Sequence, residues 1–268
     1  MSRDRWLAPG RALLFVCSCA AVLAATAPIA ANLRAGWREL AIGTVASLGA
    51  FALTMFFVRW DTLRMDDVGA APDRRSLARL SFGFLAGLLL VSAWASVVLA
   101  AGHGRWVRAT GVDARAATVA LAGYLALAGR EELAFRGYPL RRLESLWGLW
   151  VAQILVALVF AAEHKLGGAA WTDALLGPGV GSLLFGMAAI ATRGLGVPIG
   201  LHAAWNFGQW FLGMKTEPGF LKVVSNQSDG QHTHLISIIA YIVVMVLATL
   251  AFWLRHRRQQ QLLGASLY

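Results

Sequence analysis

Residues 129–140 read GREELAFRGYPL. Two adjacent glutamates and an arginine close a run, ATVALAGYLALA at 117–128, that is otherwise suited to lipid. Ionisable side chains inside apolar spans are costly to keep and usually functional. Two later apolar runs carry further examples. VFAAEHKL at 159–166 contains Glu163 and His164, and IGLHAAWNFGQW at 199–210 contains His202 and Asn206.

Spacing divides these residues by role. Glu132 and Arg136 are four apart on a helix, with the acid first, which is the favourable order for an ion pair. In a low-dielectric place the pair keeps both charges partnered. Glu131 is rotated from Glu132 by about 100°. It faces elsewhere, and Phe135 rather than a cation stands four residues on. A carboxylate short of both water and an in-helix partner is suited to general-base work. His202 and Asn206 share one helix face by the same four-residue spacing, and so do Phe160 and His164. Glu163 reads as a residue at a loop edge. His103, His232, His234 and His256 flank the apolar runs and read as solvated. Trp205 is a candidate for lining a cavity.

The elements that must position these groups are membrane helices. The chain has 268 residues, 58% hydrophobic and 14% charged. A soluble domain carries charge on about a quarter of its residues. Inside lipid a backbone must satisfy its own hydrogen bonds, which favours helices. The fold class expected is all-α, a polytopic transmembrane helical bundle of about eight spans. These lie at about 12–33, 37–58, 80–101, 115–136, 147–164, 178–192, 196–213 and 234–254. No repeat, low-complexity segment or linker divides the chain, so residues 1–268 read as one membrane-embedded domain. The polar stretches at 59–79 and 214–233 are loop-sized. The start, MSRDRWLAPGR followed by an apolar run and ATA, has some features of a signal peptide. Its apolar stretch is long for one, and a retained span is expected.

A turn near 143–147 would join the fourth and fifth spans. Glu131 then lies about 21 Å and His164 about 28 Å from that turn. The mismatch is about one helical turn, which tilt can absorb. Cys17 and Cys19 share the first span but point to different faces, so they read as small apolar residues.

In order, EELAFR, FAAEH and HAAWN resemble the motifs EExxxR, FxxxH and HxxxN of the CAAX-protease and bacteriocin-processing family. This family, also called Abi, includes the type II CAAX prenyl endopeptidases. The resemblance covers residues 115–213, the catalytic motif core, and the motif positions show no departure. It implies an intramembrane glutamic endopeptidase. Glu131 would be the catalytic acid, His164 the histidine that activates water, and His202 with Asn206 the oxyanion pair. Glu132 and Arg136 would be the supporting ion pair. No cofactor is implied. The implied substrate is a membrane protein or a lipidated C-terminal peptide, met within the lipid bilayer.

Two other readings stay open. Glu131, His164 and His202 have the ligand types of a zinc site, although HExxH is absent. A non-proteolytic role, as an immunity or scaffold factor or a proton-coupled transporter, would also place carboxylates in lipid.

The net charge of +10 comes from 21 Arg and 3 Lys against 14 acids. The basic residues sit at span ends, which points to topology and lipid headgroups and not to nucleic acid. With eight spans, 14 basic residues would fall on the side of the termini and 8 on the other, with Arg130 and Arg136 inside. The positive-inside bias then puts both termini in the cytoplasm. Cysteine labelling at residues 2 and 265 should find both protected from outside. Opposite locations would refute the eight-span count.

Overall fold

Asp113 starts the helix that carries the acidic pair. Its side chain accepts a hydrogen bond from the Ala116 amide at 2.8 Å, satisfying a backbone donor that the first helical turn leaves free. This helix, α4 (Ala114–Arg136), stops at Gly137. Pro139 then sits in the first turn of α5 (Tyr138–Trp147), where its missing N–H costs nothing.

The computed structural model describes residues 4–34, 36–102, 104–215, 218–224 and 230–265. The other helices are α1 (Asp4–Ile29), α2 (Trp37–Trp60), α3 (Ser76–Ala101), α6 (Leu149–Leu166), the short α7 (Trp171–Ala174), α8 (Val180–Thr192), α9 (Gly196–Phe211) and α10 (Gly230–Ala265). A π-helical turn at Leu175–Gly179, holding Pro178, joins α7 to α8. Two short strands, β1 (Arg105–Arg108) and β2 (Leu221–Val224), pair antiparallel with Arg105 opposite Val224. The sequence alone reads 214–233, which holds β2, as loop-sized, and leaves β1 between two spans. The strands pair because RWVR and LKVV are aromatic and β-branched stretches, each following one of two helices, α3 and α9, that pack side by side.

The bundle is all-α and membrane-embedded. Six helical stretches are long and apolar enough to cross a bilayer, at Leu7–Ile29, Trp37–Trp60, Ser76–Ala101, Leu149–Leu166, Trp171–Thr192 and Gln231–Leu263. Large apolar side chains on their outer faces, among them Leu13, Leu48, Leu85, Leu89 and Leu247, are exposed as lipid contact requires. The remaining two expected spans are helices, but of a different kind. α9 has 16 residues, and α4 carries Arg115, Arg130, Glu131, Glu132 and Arg136. Both are inner helices. α4 packs on α2 and α9, and α9 on α3, α4 and α8.

Small residues let these inner helices approach their covers closely. A methyl group added at Gly83 of α3 would meet the Val197 carbonyl oxygen at 2.2 Å, and one at Gly200 of α9 would meet that of Leu80 at 2.2 Å. At Gly43 of α2 it would meet the Leu127 amide nitrogen of α4 at 2.8 Å.

The turn expected at 143–147 is instead α5. Its buried face, Tyr138, Pro139, Leu140 and Leu143, packs toward α1 and α6. Phe15, Phe57 and Tyr138 form one aromatic cluster there. Beside it, the Asp61 side chain is fully buried and forms ion pairs with Arg142 at 2.9 Å and with Arg11, and the Tyr138 hydroxyl donates to it at 2.8 Å. The network ties the ends of α1, α2 and α5 together. The sharp turn falls at Gly148, whose φ of 81° suits glycine.

The Gly83 and Gly200 contacts are with backbone, so a side chain there cannot be absorbed by a rotamer change. Gly83→Ala and Gly200→Ala should each cost about 1–3 kcal/mol by overpacking. The measurement is the melting temperature in detergent. Gly10→Ala, with nothing within 4 Å of the added carbon, should leave it unchanged.

Candidate active site

The acidic pair sits at the end of α4, and the structure separates its two members. The Glu132 side chain has 0% exposure and the Glu131 side chain 18%. Glu131 lines a cavity of about 650 Å³ that is also lined by His164, His202, Asn206, Trp205 and Phe185. Glu132 and Arg136 lie behind that wall, and neither lines the cavity.

α4 and α6 present Glu131 and His164 to one cavity, with α5 rather than a simple turn between the two helices.

Arg136 is fully buried, as is its partner. Its Nη1 lies 3.4 Å from Glu132 Oε1. Its guanidinium sits over the Phe160 ring at 4.3 Å, with Phe135 and Phe185 each at 5.7 Å. None of its nitrogens has a hydrogen-bond partner of good geometry among the described residues. One carboxylate and an aromatic box therefore hold the charge, and cation–π attraction is strongest when the cation is desolvated. This gives the phenylalanine of FAAEH a physical task.

Glu132 has a second partner. His202 Nδ1 stands 2.8 Å from Glu132 Oε1. An ionised carboxylate only accepts, so Nδ1 carries the proton. Phe185 stacks on the imidazole at 4.4 Å and 12°. The ring is thus fixed in position and tautomer. Its other nitrogen, Nε2, lies 3.6 Å from Glu131 Oε2.

His164 is oriented from its own helix. Its Nδ1 donates to the Phe160 carbonyl oxygen at 3.0 Å, because a carbonyl can only accept. That leaves Nε2 as the ring's free nitrogen. The HAAWN asparagine, Asn206, sits one turn beyond His202 on α9 and joins it in the cavity wall.

Three placements differ from the sequence reading. Glu163 is not a loop-edge residue. It lies within α6 and forms an ion pair with Arg130, which is buried and also 3.7 Å from Glu131. Glu131 therefore has a cation beside it, from the preceding residue. His234 is exposed but contributes to the cavity lining, along with Ser237, Ile238 and Tyr241 of α10. His103 lies outside the described residues; His232 is exposed and His256 half-buried. Phe185 carried no sequence signal. It stands in SLLFGM, an ordinary apolar run, and only packing assigns it. The Glu163–Arg130 pair was legible in principle, since both lie near other charges in apolar segments.

Taken together, fold and cavity define a membrane-embedded helical protein with acid, imidazole and amide groups presented to one internal space. Residues 113–208 match the family described as Rce1-like, type II CAAX prenyl endopeptidase. That match spans 96 of the 268 residues, holds Glu131, Glu132, Arg136, His164, His202 and Asn206, and supports a likeness of this segment to membrane-embedded hydrolases of peptide bonds. Among curated proteins none matches the chain.

Removing the Glu132 charge should leave Arg136 and His202 without their shared anionic partner. Breaking a buried pair costs about 3–5 kcal/mol. Glu132→Gln should therefore lower the melting temperature by several degrees. Glu131→Gln faces the cavity and should lower it far less. Equal losses for the two would contradict the division of labour.

Proposed function

We propose that the protein is an intramembrane glutamic endopeptidase in which Glu131, His164, His202 and Asn206 act on the substrate and Glu132 with Arg136 supports them. What carries the reading is that one cavity is lined by all four of the first group and by neither of the second. We further propose one membrane-embedded domain spanning residues 1–268, with 115–213 as its catalytic core and both termini cytoplasmic.

In this mechanism Glu131 and His164 Nε2 hold a water molecule. The water attacks the scissile carbonyl carbon and gives its proton to Glu131. His202 and Asn206 donate hydrogen bonds to the resulting oxyanion. With Nδ1 committed to Glu132, His202 donates from Nε2 as an imidazolium, whose charge the flanking carboxylates partner. Collapse of the tetrahedral intermediate breaks the C–N bond, and Glu131 returns the proton to the leaving amine. Donors aimed at developing charge in a water-poor site usually contribute more than any other effect to such catalysis.

The substrate we propose is a membrane-associated peptide with a prenylated cysteine near its C-terminus, in keeping with the family. Apolar residues such as Leu127, Leu176 and Ile238 in the cavity wall suit a lipid-modified chain. No cofactor enters this mechanism. Zinc held by Glu131, His164 and His202 is the competing reading. Among the described residues no three His, Cys, Asp or Glu side chains converge as a metal cluster.

The test uses purified protein in detergent and synthetic peptides with cysteine fourth from the C-terminus, with and without an S-farnesyl group. Mass spectrometry should find cleavage after the cysteine, abolished in Glu131→Gln. His202→Ala and Asn206→Ala should each lower kcat about 100- to 1000-fold. The double variant should be little worse than the slower single one, because residues acting as a unit are not additive. A chelator should not inhibit. Loss of activity with chelator and its recovery with zinc alone would make these residues ligands. Wild-type cleavage by Glu131→Gln would remove the proposed catalytic acid.

A further inference from the structure

Lys215 lies beyond the family match, and its side chain reaches the cavity wall. The chain leaves α9 through a tight turn. The Gly213 amide donates to the Trp210 carbonyl and Met214 to Gln209, while Trp106 Nε1 holds the Leu212 carbonyl at 3.1 Å. Gly213 has φ 69°, and an added methyl would meet the Leu221 carbonyl oxygen at 2.2 Å. The turn is therefore pinned under β2, and it directs Lys215 back toward α9. Lys215 Nζ donates to Asn206 Oδ1 at 2.9 Å and sits 5.1 Å from the Tyr124 ring centre.

An ammonium has three donors and no acceptor. Whichever way an asparagine amide is drawn, its oxygen must be the atom that faces Lys215. The amide NH2 of Asn206 is then turned to the remaining directions. An asparagine without this constraint can equally present its oxygen to developing negative charge, which is repulsive. Among the described residues no carboxylate forms an ion pair with Lys215, and burial pushes its ammonium down to about 8, with Glu131 acting in the opposite sense. A half-buried cation on the cavity wall whose hydrogen bond goes to an amide oxygen is poorly explained as a surface charge.

We infer that Lys215 is a positioning residue for the proposed reaction: by holding Asn206 Oδ1 it fixes the amide so that its N–H groups serve as the oxyanion donor. The inference rests on the oxyanion reading of Asn206 given above. Lys215 does not touch the reacting atoms. Its charge also polarises the amide, which strengthens the N–H groups as donors.

The experiment measures kcat and KM on the S-farnesylated peptide for full-length Lys215→Met and Lys215→Arg, each alone and with Asn206→Ala. Small misplacements of a catalytic group cost up to about 100-fold. Lys215→Met should lose kcat on that scale with KM unchanged, and Lys215→Arg should recover most of it. In the Asn206→Ala background, Lys215→Met should cause no further loss. Should Lys215→Met not fold, Lys215→Gln, a neutral and shorter donor, should show the same pattern to a lesser degree. An equal loss in both backgrounds would overturn the inference. So would a raised KM with kcat intact, which would make Lys215 a substrate-binding group. If Asn206→Ala is slow while Lys215→Met turns over like wild type, only the Lys215 assignment fails. If Asn206→Ala itself turns over like wild type, the oxyanion reading fails.

Discussion

Arg136 is a full positive charge at 0% exposure inside a lipid-facing bundle, and much of the inner structure follows from keeping it there. An isolated buried ion is expensive, and a pair repays the cost only when its geometry is good and further partners are present. Here Glu132 supplies the opposite charge, and Phe135, Phe160 and Phe185 supply aromatic faces from three helices. Those rings draw α4, α6 and α8 together around one point. Glu132 then draws in α9 through His202. Four helices meet because one charge has to be satisfied, and the cavity lies beside that meeting point.

The same constraint explains why Glu131 and Glu132 differ although they are neighbours. One helical step turns Glu132 into the aromatic box and Glu131 to the cavity. Glu132 shares its oxygen Oε1 between Arg136 and His202, so any movement of the ion pair also moves the imidazole. Support and site are mechanically one unit. A binding-only protein has less need for so rigid an imidazole, whereas a donor aimed at a developing charge gains from being fixed in advance.

Much of this was legible in the sequence. The helical, membrane-embedded class followed from composition, and the Glu132–Arg136 pair followed from its spacing and order. Co-facing of His202 and Asn206 followed from the helical period. What was not legible came from long-range packing. Phe185 is indistinguishable by type from its apolar neighbours until α8 lies against α9. The Glu132–His202 bond joins residues 70 apart. A turn was expected near 143–147, and α5 takes its place because the polar residues Arg141, Arg142 and Glu144 interrupt the apolar run without interrupting the helix. Its apolar face is visible only once α1 and α6 cover it. β1 and β2 are too short to announce themselves, since so short a strand needs a partner to exist.

The spans that carry chemistry are also the ones least like membrane helices. α4 has too many charges and α9 too few residues to pass as a spanning helix by apolarity and length. Both can be so because other helices, not lipid, surround them. A helix that faces lipid must be apolar all along its outer face, and α10 meets this, with only 6% of its apolar window buried. A helix enclosed by neighbours is released from that rule and can hold Glu, Arg, His and Asn, provided each finds a partner. Glycines at 43, 83 and 200 make the enclosure close enough to exclude lipid. Placement of the polar groups and placement of the small residues are therefore one solution: the glycines on α2 and α3 create the lipid-free interior that the charges on α4 and the amide on α9 require.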